Sequence, residues 1–401
     1  MRSAFAAASA GLPFARTVVG LEPRDFETIR RTVAALFRVA HLPAFEAHVD
    51  AGACEVARHR TANFAVFMGY DFHLTPAGPR LVEVNTNAGG ALLNGLHTAA
   101  LCDPERLACL CAELLPVESM EARFLDTFRA EHALARPGVP LRRVAVADDR
   151  PGEQPLRAEF ELFRTLFERA GLAATVCDTA EIARAPGGLA LRGEPVDLVY
   201  LRDTDWRLAA PRSRALREAY LAGEATLTPS PREHHLLADK RRLPLFSSPA
   251  ALRALGASAE DAALLARVVP ETRLLAELGA DVAWRERRAW VFKPAAAYGS
   301  RAVYRGDKLT RGKLAEIAAA GDFVAQRRVD PGELDVPTSE GVQRMKYDVR
   351  AYAYRDEVLL LGARAYRGQV TNLRTPGGGF TAICVVRRDA APRSPARGAG
   401  A

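Results

Sequence analysis

Lysine is nearly absent from this 401-residue chain: of 55 basic residues only Lys240, Lys293, Lys308, Lys313 and Lys346 are not arginine. The basic residues are dispersed among 48 acids with no basic block and no aromatic-interleaved motif. The formal charge of +7 is therefore explained as well by anionic small molecules, and nucleic acid is not an expected partner. No apolar run reaches the roughly eighteen residues that a spanning helix needs, so no membrane partner is expected either. The six cysteines (Cys54, Cys102, Cys109, Cys111, Cys177 and Cys384) show no CxxC pairing. Cys109 and Cys111 lie two apart in a helical pattern and point to different faces, so reduced core thiols are expected rather than a metal site. That usage fits a reducing cytoplasm. The alanine-rich start MRSAFAAASAGLPFA meets Arg16 at once and reads poorly as an export signal. No GxGxxG occurs, which removes the usual dinucleotide fingerprint.

An apolar content of 49% with 26% charged residues is that of a globular protein, and the length favours two or three domains. Residues 23–38 have proline and acids at the start and Phe26, Ile29, Val33 and Phe37 at helical spacing, and a further helix ends near Arg60. Phe64–Leu74 and Arg80–Asn85, joined by TPAGP, read as a hairpin, followed by helices from about Asn94 to Leu134. Beyond PGVP at 137–140, LRRVAVADD, a helix over 157–170, a strand near 174–177 and DLVYLRD alternate as in a small open α/β sheet ending near Pro231. A helical stretch around HHLLADKRRLPLFSS leads into a strand-rich segment from Trp284 to Val386. The Pro/Ala/Gly-rich tail over 389–401 reads as disordered.

Three stretches can carry chemistry. WVFKPAAAYGSRAVYRG sets Lys293 at a strand end before a small-residue turn through Gly299 and Ser300, where main-chain N–H groups can approach phosphate oxygens. A plain hairpin with a surface lysine explains that stretch equally. Asp348 and Arg350 share one strand face because they sit two apart; Arg364 follows on the next strand, and Asn372, Arg374 and the glycines 377–379 close a loop. Any one arginine fits a solvated sheet face, whereas their accumulation beside a glycine-rich loop favours a polyanion site. Glu83 and Asn85 also share a face, and Asp71 on the preceding strand can lie opposite. Two carboxylates and an amide oxygen are the hard-ligand set that Mg²⁺ takes together with phosphates and water.

Together these residues resemble the ATP-grasp superfamily of ligases. The resemblance implies ATP and Mg²⁺ as cofactors. Lys240 and Lys293 correspond to the phosphate-holding lysines, with Gly299 and Ser300 in the glycine-rich loop. Val324–Val329 correspond to the adenine hinge, with Gln326, Arg327, Val329 and Glu333 as nucleotide contacts. Asp71, Glu83 and Asn85 correspond to the metal ligands, and Arg350, Arg364 and Arg374 to the arginines that steady the transferred group. The metal motif, which ordinarily comes last, comes first here. That order resembles circularly permuted members such as glutathionylspermidine synthetase and eukaryotic glutathione synthetase. The implied fold class is mixed α+β and α/β: a permuted ATP-grasp fold with an inserted pre-ATP-grasp open α/β domain.

The implied division is 1–140 for N-terminal helices plus the displaced metal-binding part, 141–231 for the inserted domain, 232–388 for the nucleotide-binding part and 389–401 for the tail. One departure stands out: those synthetases carry an arginine two residues before the metal aspartate, where this chain has Gly69. The implied activity is ATP- and Mg²⁺-dependent amide or peptide bond formation through an acyl phosphate, between small-molecule or peptide carboxylates and amines. A small-molecule kinase on the same fold and a non-catalytic nucleotide-binding protein are the alternatives. No amidase domain and no glutathione-binding set can be mapped.

Overall fold

The computed structural model describes residues 12–101, 117–295 and 302–386. The loop residues Gly299 and Ser300 and the tail over 389–401 lie outside the described residues. The first strands are β1 (Phe14–Leu21), β2 (Met68–Thr75) and β3 (Gly78–Asn85). A second group comprises β4 (Arg143–Asp148), β5 (Ala173–Asp178), β6 (Ile182–Ala185), β7 (Gly188–Leu191), β8 (Glu194–Val196), β9 (Leu198–Leu201) and β10 (Thr226–Thr228). A third comprises β11 (Thr272–Leu274), β12 (Trp290–Pro294), β13 (Tyr304–Arg305) and β14 (Phe323–Arg327). The last are β15 (Gly332–Thr338), β16 (Gly341–Tyr354), β17 (Glu357–Tyr366) and β18 (Gly379–Val385).

The principal sheet runs β1-β18-β17-β16-β2-β3, with β15 also on β16. Strands from both ends of the chain thus form one surface, and β16 pairs antiparallel with β2 so that Arg350 faces Asp71. Alternation along the strands sorts their side chains. Tyr70, Phe72, Val349, Ala351, Ala353 and Ala363 enter one core, under the helix Pro23–Ala40. Asp71, Asp348, Arg350 and Arg364 fall on the opposite face. The helix earns its place through proline in its first turn, Asp25 there and Arg38 in its last turn, and buried Ile29, Val33, Leu36 and Ala40 on one side.

The expected open α/β sheet is present within 141–231: β10-β9-β4-β5, all parallel, with the amphipathic helix Arg157–Arg169 packed on it. β6, β7 and β8 form a small antiparallel sheet beside it. A four-stranded sheet, β11-β14-β12-β13, carries Lys293. Three readings are corrected. Phe14–Leu21 is a strand, parallel to β18, where no element was expected. Trp284 ends up in a short helix and the strands resume at Trp290. Cys384 is disulfide-bonded, so the thiols are not all reduced. Spatial pairing needs no sequence spacing, and the cysteine argument for a reducing compartment loses its basis. Cys54 and Cys177 are free. Among the described residues no helix is long and apolar enough to cross a membrane.

The parallel sheet is tied to the principal sheet by a buried carboxylate. Glu131, fully buried on the helix Val117–Ala135, accepts hydrogen bonds from the Asn63 amide (3.0 Å), the Phe64 main-chain N–H (3.0 Å) and the Thr228 hydroxyl (2.8 Å). A buried donor that loses its acceptor costs about 1–3 kcal/mol. Glu131→Ala is therefore expected to destabilise the fold by about 3 kcal/mol or more, read as a lowered thermal or denaturant midpoint. An unchanged midpoint would show that the carboxylate does not join the two layers.

Candidate functional site

The polar face of the principal sheet opens into a cleft of about 1200 Å³, walled on its other sides by the parallel sheet and the Lys293 sheet. Asp71 sits at its floor, 3% exposed. Its two oxygens accept from Arg350 Nε (2.5 Å) and Nη2 (2.6 Å), a bidentate fork, while Arg364 Nη2 adds a third contact at 3.0 Å. Arg364 also forks onto Asp348, at 2.9 and 2.8 Å, and the Thr371 hydroxyl donates to the same carboxylate at 2.6 Å. The register makes this knot: Asp71 is opposite Arg350 across β2 and β16, and Asp348 is opposite Arg364 across β16 and β17.

Glu83 is opposite Asp71 across the hairpin, next to a bulge that displaces the following pairs. Asn85, two residues on and on the same face, donates to Asp71 Oδ2 at 3.3 Å. Glu83 pairs with Lys240 Nζ at 2.9 Å. Lys240 is placed by turn chemistry: a π-turn over His234–Ala238 leads to Asp239, whose carboxylate caps the next turn by accepting from the Arg241 N–H. Lys293, 8% exposed, donates to Gln326 Oε1 (2.7 Å) and to the Val82 carbonyl (2.8 Å), so it stitches its own sheet to β3.

The electrostatics follow from this geometry. Burial works to raise the carboxyl pKa of Asp71, but Arg350 and Arg364 outweigh it and hold the group well below the usual carboxylate range. Glu83 is likewise lowered, burial being outweighed by Lys240 and Lys293. Lys293 is pushed down to about 8 by burial, with Glu83 opposing and Lys240 adding to the shift.

Of the residues expected from the sequence, the cleft brings together Asp71, Glu83, Asn85, Lys240, Lys293, Gln326, Arg327, Val329, Arg350, Arg364 and Arg374. Arg374 is exposed at the rim. Arg327 stacks over Trp290, its guanidinium carbon 4.0 Å from the ring centroid, and the Val329 carbonyl accepts from His73 Nδ1 at 2.8 Å. Glu333 stands apart. It points to solvent from β15 and pairs with Arg344 instead. Asp148, Arg202 and Lys346 line the cleft without having been singled out as site residues; the rarity of lysine was the one available signal for Lys346.

The donor set suits a hard divalent cation. Asp71, Glu83 and Asn85 are oxygen donors of the kind such a cation takes; among the described residues no group of three His, Cys, Asp or Glu side chains could hold a metal, and Asp71 is engaged by Arg350 and Arg364 and Glu83 by Lys240. Gly69 explains how the site manages without an arginine there. A Cβ at this position would lie 2.5 Å from Ala88 Cβ, and the Arg350 side chain runs past it, with Cδ and Nε at 3.3 Å. Arg350 fills the space that a side chain at residue 69 would need.

No family model matches the chain, and no curated protein matches it in sequence. Solved structures do match. A glutathione synthetase-like effector from Globodera pallida, in its apo form, superposes over 96% of this chain and 97% of that one with a TM-score of 0.60 at 10% identity. A putative gamma-glutamylcysteine synthetase from Methylobacillus flagellatus covers 88% and 85% at a TM-score of 0.49 and 14% identity. An ATP-grasp ligase bound to its precursor peptide and AMPPNP covers 64% and 92% at a TM-score of 0.31 and 14% identity. At such identities a likeness speaks for architecture, and the chain has the mixed α/β fold seen in that glutathione synthetase-like protein.

Proposed function

We propose that the chain is an ATP- and Mg²⁺-dependent carboxylate–amine ligase. The observation that carries this reading is the convergence, in one cleft, of four buried or half-buried cations (Lys240, Lys293, Arg350 and Arg364) with the oxygen donors Asp71, Glu83 and Asn85. A carboxylate becomes an acyl donor when the ATP γ-phosphoryl is transferred to it, and that chemistry asks for positioning and charge neutralisation rather than a protein nucleophile. Lys240 and Lys293 would hold phosphate oxygens. Asp71, Glu83 and Asn85 would hold the cation, which when bound offsets charge on the transferring group. Arg350 and Arg364, already aimed by Asp71 and Asp348, would steady the acyl phosphate and the oxyanion that follows, with Arg374 reaching in from the rim. On this reading the metal hairpin is the displaced last motif of a permuted ATP-grasp domain, residues 141–231 form the inserted domain, and 232–388 carry the nucleotide.

Asp71→Asn and Glu83→Gln are expected to abolish Mg²⁺-dependent ADP release over a panel of carboxylates and amines that the wild type turns over. Retained release in either variant would remove these residues from the metal site. Phosphorylated product without amide would turn the reading into a kinase, and ATP binding without turnover into a non-catalytic protein.

Lys293 provides a pH test. Its ammonium is the form that attracts phosphate, and with a pKa near 8 it is charged below that value and neutral above it. Affinity for a non-hydrolysable ATP analogue is therefore expected to fall as pH rises from about 7 to about 9. Lys293→Met should show weaker binding and a flatter profile, and a wild-type profile as flat as the variant's would take Lys293 off the phosphates. Gly69→Ala is expected to cost about 1–3 kcal/mol of stability through overpacking against Ala88 and, by moving Arg350, to lower turnover. Full activity there would show that Arg350 need not hold its present position.

A further inference from the structure

One wall of the cleft lies outside the residues assigned above to phosphates and a metal. It is the C-terminal edge of the parallel sheet, where Asp148 ends β4 and Arg202 follows β9. In open α/β sheets ligands bind outside the carboxyl ends of the strands, at the point where the winding reverses. Here β4 continues through the helix Arg157–Arg169 to β5 on one side, and β9 through the helix Arg214–Leu221 to β10 on the other. The reversal therefore falls between β4 and β9, where Asp148 and Arg202 stand. Asn87, on the loop leaving β3, donates to the carbonyls of Asp203 (2.7 Å) and Arg202 (3.3 Å). The crevice is thereby fixed beside the strand that carries Glu83 and Asn85.

Asp148 differs from the other carboxylates lining this cleft. Asp71, Glu83, Asp348 and Asp330 each have a cation within 3.0 Å. Asp148 is 8% exposed, yet among the described residues it has no cation at ion-pair distance, and it accepts from the Asp149 N–H at 2.7 Å. Arg202 is engaged elsewhere, donating to the Tyr200 hydroxyl at 2.9 Å and lying 3.8 Å from Glu159. A buried carboxylate without a partner costs free energy. Burial pushes this one up to about 6, with Arg202 opposing and Asp203 and Asp149 adding to the rise.

We propose that Asp148 is the subsite for the attacking amine, binding the acceptor's primary ammonium group and taking its proton; the inference rests on the ligase reading above. The acceptor class is a primary amine that is cationic at neutral pH. Its ammonium gives one proton to the Asp148 carboxylate, leaving a neutral amine and a carboxylic acid. The nitrogen lone pair then forms the N–C bond to the acyl carbon as the C–O bond to phosphate breaks. Phosphate leaves with that electron pair and takes the second proton the nitrogen sheds, and Asp148 returns its own proton to solvent. A base poised near neutrality suits this task.

The test compares wild type and the isosteric Asp148→Asn with two kinds of nucleophile, against a panel of L-α-amino acids and γ-glutamyl dipeptides as carboxylates. Hydroxylamine is largely unprotonated at neutral pH and needs no base to attack an acyl phosphate, whereas glycine, ethanolamine and putrescine enter as ammonium ions. Hydroxamate formation is expected to stay within a few-fold of wild type, while amide formation with the amines falls about 100-fold or more, the size of a lost general base. KM for ATP should be unchanged, which also shows that the variant is folded. Unchanged amide formation, or an equal loss with both nucleophiles, overturns the role of Asp148 while leaving the ligase reading in place. A wild type that forms neither hydroxamate nor ADP across the panel overturns the ligase reading itself, and this inference with it.

Discussion

The cleft depends on the Asp71 carboxylate, which two arginines share. Asp71 holds Arg350 through a two-pronged contact and Arg364 through a third, and Arg364 is held again by Asp348. Buried ion pairs are poor stabilisers, because the desolvation of each charge consumes most of the Coulombic gain. Breaking one by removing a single partner nevertheless costs about 3–5 kcal/mol, since the remaining charge is stranded. Such a knot is therefore weak evidence of a stability device and better evidence of a constraint on where two guanidinium groups must point. Both lie on the cleft face of the sheet, and their backs are fixed by carboxylates.

The same balance runs through the whole site. Four cations, Lys240, Lys293, Arg350 and Arg364, are set against three carboxylates, Asp71, Glu83 and Asp348. The cleft floor is thus nearly neutral without ligand, which keeps the cost of assembling it low. The division of labour between lysine and arginine fits this picture. The forked contacts to Asp71 and Asp348 use the planar guanidinium, and the two deep single-point contacts, to Glu83 and to Gln326, use the compact ammonium.

Much of this was legible in the sequence, and the limits have physical causes. A period of two sufficed to put Asp348 with Arg350 and Glu83 with Asn85 on shared faces, and the TPAGP turn fixed the hairpin that sets Asp71 opposite Glu83. The contact between Asp71 and Arg350, which spans 279 residues, has no local signature, and the resemblance put the two residues in one site without pairing them. Glu333 shows the reverse failure: neighbouring the hinge in sequence, it is turned outward by the same alternation that turns Val336 into the core. Asp148 could not be singled out as a strand-end aspartate, because what distinguishes it is a missing partner in space.

Gly69 shows how a residue can be absent from its expected place and the contact still be supplied. A sheet fixes neighbours by strand spacing and register, and is indifferent to the order in which the chain lays the strands down. Tyr352 of β16 pairs with Gly69 of β2, so Arg350, two residues away on the same face, can extend its side chain over the glycine. The Tyr352 hydroxyl donates to the Gly89 carbonyl at 3.0 Å, and Gly90, at φ 94°, has no room for a Cβ against Phe380 and that hydroxyl. The run of small residues after Asn85 is therefore what lets the chain pass close over β16. A larger residue at 69 would displace Arg350 from Asp71. In this chain the glycine and the arginine answer one requirement: only a residue without a side chain at 69 leaves Arg350 its path to Asp71.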